Sequence, residues 1–569
     1  YTPLYSSAAS DVYKRQYQTS CCPTEPLSIG EYLIERLQDY GIADLFGIPG
    51  DYILSFYSLL EDSEINVIGC TREDNAGFAA DAYARINGMG AVCVTYCVGG
   101  LSVCNSIAGA FAEKSPVVLL TGSPGLKERL NNPLLHHKVR DFRTQVDVFD
   151  KLCITGTELV DPATAFDEID RVLEMAYRYK RPVYIDIPRD MVNVVPHTTR
   201  HYRLIHPLTD ERALQEACNE ITALLNHAMN PMIVAGVEIH RFGLQDDLIH
   251  FAEKNNIPMA STLLGKSVIR ENHPLYVGLY EGAIGREEVT DYVEHSDCIL
   301  MLGTFMTDLN LGIYTANLDA RKCIYATSET LKIHHHHYEN VPLDELLQEL
   351  VLRNIKTSTR FVDPTVREPV SQYIIDYSAR ITVRRMIDRI NQSLDEETIV
   401  IADIGDSLFA STRLQTQGRT EFLSPAYYTS MGFSVPATLG AQTAMPGHRV
   451  ITICGDGAFQ MTCLELSTIV RLGYNPIVIV LDNAGYGTER ALHPGDWDYN
   501  EIHRWAYGDL TKVIGAGVAH RVITEEDFDK ALKSALADDN NLHLMHVELD
   551  RRDASETLTR LADRMSHVI

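Results

Sequence analysis

The chain is poor in positive charge. Its 569 residues include 50 Lys and Arg against 77 Asp and Glu, which gives a formal net charge of −27. Nucleic acids and anionic membranes are bound through clusters of Lys and Arg, and the sequence shows no basic stripe of that kind. We therefore expect neither a nucleic-acid nor a membrane partner. An anionic substrate would need local positive groups to overcome this background.

Cysteine pairs at metal-binding or redox spacing are also absent. The 12 cysteines are scattered, and none forms a CxxC or zinc-finger pattern. Cys21 and Cys22 are adjacent, whereas Cys93 and Cys97 fall in an apolar run. This usage predicts free, mostly buried thiols in a reducing compartment, and hence a cytoplasmic location.

Long apolar segments are nearly absent as well. Residues 1–25 lack the apolar core of a signal peptide, and we interpret them as a disordered leader outside the folded protein. The stretch from Ala91 to Ala112 carries no charge and has the length of a membrane span. Because Gly99 and Gly100 divide it into a β-rich half and a small-residue half, it predicts a buried strand followed by a buried helix.

The sequence does contain short β-branched runs that alternate with helical patterns, which is typical of parallel α/β sheets. Strands are predicted in three groups. The first group lies at 65–70, 91–98, 116–122 and 182–188, and the second at 231–239, 298–304 and 322–327. The third lies at 398–405, 448–457, 475–483 and 543–550. Helices are predicted at 73–87, at 161–179 with Asp161-Pro162 as its start signal, and from Asp553 to Ile569. Polar linkers at 190–208 and 350–375 separate the groups. The pattern predicts an α/β fold of three doubly wound parallel-sheet domains.

One motif indicates a cofactor. Gly455-Asp456-Gly457 closes a β-branched run, and Asn483 closes the next one, 27 positions after Asp456. Ligands of open α/β sheets bind at such strand ends. Asp456, Asn483 and the backbone carbonyl of Gly485 would supply three oxygen ligands for Mg²⁺, with diphosphate oxygens and a water completing the shell. Gly455 and Gly457 would let the backbone approach the diphosphate.

With these motifs the chain resembles the thiamin-diphosphate enzymes, and within them the pyruvate, indolepyruvate and phenylpyruvate decarboxylases, from about residue 27 to the end. The resemblance implies a pyrimidine-binding domain at 26–193, a middle domain of structural or regulatory role at 205–350, and a diphosphate-binding domain at 375–569. It implies thiamin diphosphate and Mg²⁺ as cofactors. It also implies a homodimer as the minimal active unit, because the cofactor lies between domains of two subunits, and a homotetramer as the expected assembly.

The resemblance also assigns acid–base residues. Glu73, at the start of a predicted helix, matches the glutamate that acts on the pyrimidine ring, although acids are common at helix starts. Asp51, in FGIPGDYIL, matches the catalytic aspartate, although turns favour Asp. His136 and His137 match the double-histidine motif that separates these decarboxylases from acetolactate synthases. Glu489 matches the GYxxE glutamate.

Other residues are assigned to packing around the cofactor and substrate. Met431 matches the bulky apolar residue that keeps the cofactor bent. Leu408, Phe409 and Thr488 fall where family members line the substrate pocket. Thr488 is smaller than the Ile of pyruvate-specific members, which favours a wider pocket.

The expected activity is non-oxidative decarboxylation of a 2-oxo acid to an aldehyde and carbon dioxide, through a ylid and an enamine of the cofactor. Longer aliphatic or aromatic substrates are favoured, with broad specificity. Pyruvate decarboxylase proper remains an alternative, as does a carboligase resembling acetolactate synthase, which should bind flavin and which the histidine pair disfavours. An NAD oxidoreductase would need a GxGxxG fingerprint that the middle segment lacks. A non-catalytic scaffold would have no reason to keep these residues together.

A run of four histidines, His334 to His337, lies far along the chain from these motifs. We interpret it as structural, since alternate side chains of an extended segment face opposite ways and four cannot converge on one ion.

Overall fold

The computed structural model describes residues 26–197, 209–356, 373–418 and 421–565. The predicted leader lies outside these residues, as do the centres of both predicted linkers. The described residues form three sheets with flanking helices, in which nearly all neighbouring strands are parallel. The predicted α/β class with three doubly wound sheets is confirmed.

The first sheet has six parallel strands in the order β2-β1-β3-β4-β6-β5. The strands are β1 (Asp44–Gly47), β2 (Asn66–Gly69), β3 (Gly90–Val94), β4 (Val117–Ser123), β5 (Thr155–Glu158) and β6 (Val183–Pro188). The helices are α1 (Ile29–Asp39), α2 (Leu54–Glu61), α3 (Glu73–Asn87), α4 (Val98–Ser102), α5 (Cys104–Ala112), α6 (Thr144–Leu152) and α7 (Ala165–Tyr179).

The second sheet has seven strands in the order β13-β12-β11-β10-β7-β8-β9, with antiparallel pairing only at its β11-β12-β13 end. The strands are β7 (Pro231–Ala235), β8 (Met259–Ser261), β9 (Tyr276–Leu279), β10 (Cys298–Leu302), β11 (Cys323–Ala326), β12 (Leu331–Ile333) and β13 (His336–Tyr338). The helices are α8 (Glu211–His227), α9 (Val237–Arg241), α10 (Gln245–Asn255), α11 (Glu287–Glu294) and α12 (Leu343–Leu352).

The third sheet has six parallel strands in the order β15-β14-β16-β17-β19-β18. The strands are β14 (Thr398–Ala402), β15 (Glu421–Leu423), β16 (Arg449–Gly455), β17 (Ile477–Asp482), β18 (Val518–Val522) and β19 (His543–Glu548). The helices are α13 (Val383–Asn391), α14 (Asp406–Ser411), α15 (Ser434–Ala444), α16 (Asp456–Thr462), α17 (Leu466–Arg471), α18 (Gly487–Leu492), α19 (Leu510–Ile514), α20 (Glu525–Leu536) and α21 (Glu556–Met565).

The chain divides into two compact units. One contains the first sheet together with Val435–Gly447 and Thr462–Tyr474, and the other contains the second and third sheets. Helices α15 and α17 therefore pack with the first sheet. Gly440 permits this packing, since a Cβ there would lie only 2.0 Å from the carbonyl oxygen of Ala79 on α3.

Local sequence signals account for several helix ends. Ser28 and Glu31 form a reciprocal capping box at the start of α1. Helix α3 has the predicted bounds, and it ends at Gly88, whose φ of 96° is in the left-handed region that favours glycine.

Three predicted elements differ from the described structure by four residues at one end. The helix predicted from Asp161 begins at Ala165, because the Asp161 carboxylate accepts a hydrogen bond from the Ala163 N–H and forms a separate turn. The strand predicted over 91–98 ends at Val94, since Cys97 has a φ of 44°. The strand predicted over 231–239 ends at Ala235, and α9 begins two residues later.

The uncharged stretch 91–112 forms strand β3 and helices α4 and α5, as predicted. Among the described residues, no helix combines the length and the apolar character of a membrane span. The cysteines of the described ranges are free thiols, and most are buried.

The four-histidine run does not form one extended segment as predicted. It lies in the hairpin of β12 and β13, where His334 has a φ of 52°. His336 Nδ1 lies 2.9 Å from a carboxylate oxygen of Glu220. These contacts agree with a structural role for the run.

A buried carboxylate, that of Asp186, lies on strand β6 of the first sheet. Asp186 accepts hydrogen bonds from the hydroxyls of Ser123 and Tyr184 and from the side-chain amide of Gln145. The pKa of Asp186 is raised to about 6, chiefly by burial and also by the nearby Glu158 carboxylate, while the hydrogen bonds from Ser123 and Tyr184 act in the opposite direction.

This raised pKa predicts a pH-dependent stability. Because folded Asp186 binds its proton more tightly than unfolded Asp, the free energy of unfolding should fall by up to about 3 kcal/mol as the pH rises from about 4 to about 6. Denaturant titrations at several pH values across this range measure the free energy of unfolding. Its decrease with rising pH should be smaller for Asp186→Asn than for the wild type. Asp150→Asn, which changes an exposed carboxylate, should show the same pH dependence of the free energy of unfolding as the wild type. The same pH dependence in both variants would contradict the prediction.

Candidate active site

Three of the predicted acid–base residues meet in the first unit. Asp51 lies in the turn between β1 and α2, and its Oδ2 is 2.8 Å from Nε2 of His136. One ligand-capable atom each from Asp51, His136 and His137 lies within 4.8 Å of the others. The structure therefore brings together residues separated by 85 positions.

Aromatic packing orients the histidine pair. The Tyr52 ring stacks on the His136 ring at 4.8 Å and meets the His137 ring edge-on at 5.9 Å. His137 has a φ of 65°, and its Nδ1 is buried without a hydrogen-bond partner among the described residues. The Arg189 guanidinium lies over the Tyr52 ring, 5.1 Å from its centroid. This guanidinium forms an ion pair with the Glu128 carboxylate.

Glu73 is the first residue of α3 in the same unit. The Ser102 hydroxyl donates a hydrogen bond of 3.2 Å to its Oε2. The side chain is half-buried. A partly shielded carboxyl at a helix start can act on a ligand while the helix dipole stabilises its anion.

The second unit contains the predicted diphosphate and metal residues. Strands β16 and β17 are parallel neighbours, so Asp456 and Asn483 follow adjacent strand ends. The Asp456 carboxylate accepts hydrogen bonds from the N–H groups of Gly457 (2.8 Å) and Gly485 (3.0 Å). Burial, the largest cause, raises the pKa of Asp456 to about 7, so its anionic form would gain from a nearby cation.

These residues fit a bound Mg²⁺. Asn483 Oδ1 is buried and has no hydrogen-bond partner among the described residues, which is costly unless another group occupies that position. The Gly485 carbonyl accepts one hydrogen bond, from Gly487 N–H, and keeps a second lone pair. Oxygen donors of this kind are the ligands that Mg²⁺ prefers.

Gly455 and Gly457 flank Asp456, and Met431 lies near Gly457. A Cβ on Gly457 would lie 2.7 Å from the Tyr486 ring and 3.5 Å from the Met431 methyl group, whereas one on Gly455 would meet open space. The backbone on either side of Asp456 therefore carries no side chain.

The three residues predicted to line the substrate pocket differ in their surroundings. Thr488 Oγ1 lies 3.0 Å from the position that a Cβ on Gly405 would take, at the start of α14. Leu408 and Phe409, on α14, are buried in apolar clusters. Glu489, the third residue of α18, is exposed. Their roles stay predictions.

Helix α21 supports the elements that carry these residues. Leu558 and Leu561 of α21 pack with Phe409 of α14 and with Ala491 and Leu492 of α18. The C-terminal helix therefore holds the two helices on which Thr488, Glu489 and the pocket candidates lie.

Shortening Leu561 should loosen α18. Leu561→Ala is expected to cost about 2–5 kcal/mol of local packing, to speed backbone amide exchange in 487–492, and to lower activity. Exchange measured by mass spectrometry together with steady-state kinetics checks this. Thr559→Ala, on the exposed face of the same helix, should change neither; wild-type exchange in Leu561→Ala would refute the supporting role.

Sequence reasoning missed two residues that hold the loops carrying Asn483 and Met431. The Arg490 guanidinium donates to the carbonyls of Asn483 and Ala484. Buried Asp403 accepts from the N–H groups of Gly432 (3.1 Å) and Ser434 (2.9 Å) and so anchors the turn after Met431. Arg490 directly follows Glu489, and Asp403 lies near the carboxyl end of the strand predicted at 398–405, so position alone could have drawn attention to both.

Three family models match parts of this chain. Family models for thiamine pyrophosphate enzymes match residues 27–146 (N-terminal TPP binding domain), 218–351 (central domain) and 403–547 (C-terminal TPP binding domain).

Curated relatives match over nearly the whole chain. An indole-3-pyruvate decarboxylase of Azospirillum brasilense is 34% identical over 94% of this chain and 97% of its own. Pyruvate decarboxylase isozyme 1 of Saccharomyces cerevisiae is 32% identical over 94% of this chain and 98% of its own. An alpha-keto-acid decarboxylase of Mycobacterium avium is 30% identical over 95% and 97%. The chain therefore belongs to the thiamine pyrophosphate enzyme family, within its group of 2-oxo acid decarboxylases.

Proposed function

We propose that this protein converts longer aliphatic or aromatic 2-oxo acids to aldehydes and carbon dioxide, with thiamin diphosphate and Mg²⁺. The observation that carries the proposal is the contact between Asp51 and His136, because a histidine pair held by a carboxylate suits proton transfer to a carbanion-like centre. The proposed domain bounds are 26–193, 205–350 and 375–569.

Asp456, Asn483 and Gly485 would hold Mg²⁺, and Gly455, Gly457 and Met431 would contact the cofactor. Bound thiamin diphosphate supplies the electron sink that accepts the bonding pair when carbon dioxide leaves. The Glu73 carboxyl would hydrogen-bond the pyrimidine ring and hold a proton there.

The histidine cluster would handle the substrate's protons. His136 Nε2 lies 2.8 Å from Asp51 Oδ2 and its Nδ1 lies 3.4 Å from the Tyr52 hydroxyl, so contacts at both ring nitrogens fix the orientation of the ring. His137 would then be free to move a proton, together with Asp51 and Glu489.

We also propose a homodimer as the minimal active unit and a homotetramer as the full assembly. The loop that carries the histidine pair leaves Leu134 96% exposed and Leu130 67% exposed. Apolar side chains at this level of exposure support burial against another copy. Light scattering at several concentrations tests the assembly.

A substrate panel tests the activity. With pyruvate, 2-oxoisovalerate, phenylpyruvate and indolepyruvate, each coupled to an alcohol dehydrogenase, we expect aldehyde from several, with kcat/KM higher for the larger substrates. One methylene group changes binding by only about 1–3 kcal/mol, which favours broad specificity. Aldehyde from pyruvate alone would indicate pyruvate decarboxylase proper, and no aldehyde from any would end the decarboxylase proposal.

Thr488→Ile is the matched variant for the pocket. It should narrow the site and lower kcat/KM for phenylpyruvate about tenfold or more relative to pyruvate. An unchanged ratio would remove Thr488 from the pocket.

A further inference from the structure

A fully buried glutamate outside the residues discussed so far lies against the start of α3. Glu465 ends the short turn Cys463–Glu465 between α16 and α17, and its exposed fraction is 0%. It belongs to the first unit, with the sheet that carries Glu73.

Its carboxylate binds the residues on both sides of Glu73. Oε2 accepts hydrogen bonds from Thr71 Oγ1 (2.6 Å), from Thr71 N–H (3.1 Å) and from Asn75 Nδ2 (2.9 Å). Thr71 and Asn75 are each two residues from Glu73. Asn75 Nδ2 also donates to Thr71 Oγ1, so the three side chains form a closed triangle.

A second contact ties the same segment. The Arg471 guanidinium, at the end of α17, donates a hydrogen bond of 2.7 Å to the Gly69 carbonyl at the end of β2. The segment from Gly69 to Asn75 is therefore held at both ends by Glu465–Arg471.

Burial of a carboxylate is unfavourable unless donors surround it. Here the hydrogen-bond partners of Glu465 in the described chain are neutral groups at one helix start. Arg72 at the N-cap makes no side-chain capping hydrogen bond. The Glu465 carboxylate instead holds the residues on both sides of the helix start, through Thr71 and Asn75.

We infer that Glu465 is a positioning residue for Glu73, setting the place from which the Glu73 carboxyl meets the cofactor. This inference rests on the proposed role of Glu73. Loss of the Glu465 charge frees Thr71 and Asn75, loosens the first turn of α3 and misplaces Glu73 without removing any group that contacts the substrate.

The test uses the full-length protein with Glu465→Gln, and with Thr71→Val as a milder variant. Thr71→Val removes the 2.6 Å hydroxyl contact to Glu465 and the hydrogen bond that this hydroxyl accepts from Asn75, but it keeps the Glu465 contacts to Asn75 and to the Thr71 N–H. Amide hydrogen exchange on the cofactor-free protein should become about tenfold faster or more in 71–77 and stay unchanged elsewhere. In the loaded enzyme kcat should fall about tenfold while KM for the 2-oxo acid holds. Thr71→Val should shift both in the same direction, by less.

A double variant provides the rescue. In Glu465→Gln with Asn75→Asp, the amide and the carboxylate exchange places, so the pair can form again. Partial recovery of both kcat and slow exchange is expected. Glu61→Gln, an exposed change on α2, should behave as wild type.

Glu73→Gln, measured in parallel, separates the two claims. If it keeps full turnover, the proposed role of Glu73 fails. If it is impaired while Glu465→Gln keeps wild-type kcat and wild-type exchange, the positioning inference is overturned and the function stands. Faster exchange throughout the unit with a lowered Tm would also overturn it, as evidence of general destabilisation.

Discussion

Asp456→Asn is expected to lower decarboxylase activity by at least about 100-fold, with a similar loss of affinity for thiamin diphosphate and Mg²⁺. Even an outer-shell change at a metal site costs about 10–100-fold in affinity, and Asp456 is proposed as a direct ligand. The amide keeps the shape and one acceptor oxygen, so the Gly457 and Gly485 N–H groups can still find a partner. The loss would therefore report on charge.

Calorimetric titration of the variant with Mg²⁺ and thiamin diphosphate measures the effect directly. Asp496→Asn makes the same chemical change at an exposed position in the same unit and should bind as wild type. Chelation of Mg²⁺ should abolish wild-type activity, and added Mg²⁺ should restore it. Wild-type cofactor affinity in Asp456→Asn would remove this residue from the metal site.

Glu73→Gln is expected to reduce turnover by about 10²–10⁴-fold, the usual contribution of a positioned acid–base group. The amide accepts the Ser102 hydroxyl as the carboxylate does, so the local fold should persist. It cannot, however, pass a proton to or from the pyrimidine ring. Cofactor affinity should change much less than kcat.

The direct measurement is hydrogen–deuterium exchange at the reactive carbon of bound thiamin diphosphate, followed by NMR after acid quenching. The variant should exchange far more slowly than the wild type. In Glu64→Gln, which changes an exposed carboxylate just before β2, the bound cofactor should exchange at the wild-type rate. Wild-type exchange in Glu73→Gln would contradict the assigned role.

Much of the fold was predictable because its signals are local. The bounds of α3 follow from an apolar repeat and a closing Gly88, and β16 and β17 follow from β-branched runs. Boundaries failed where a side chain or a backbone conformation acted against the pattern, as at Asp161, which forms its own turn, and Cys97, with its positive φ.

The sequence by itself determined the fold class, the Gly-Asp-Gly loop and the residue types of the site, since periodicity and turn chemistry act over a few residues. Only the tertiary structure decided that Asn483 Oδ1 is left without a partner among the described residues, that Phe409 packs under the C-terminal helix, and that Glu465 holds a residue 394 positions away. Such contacts depend on how distant segments pack, and no local pattern specifies them.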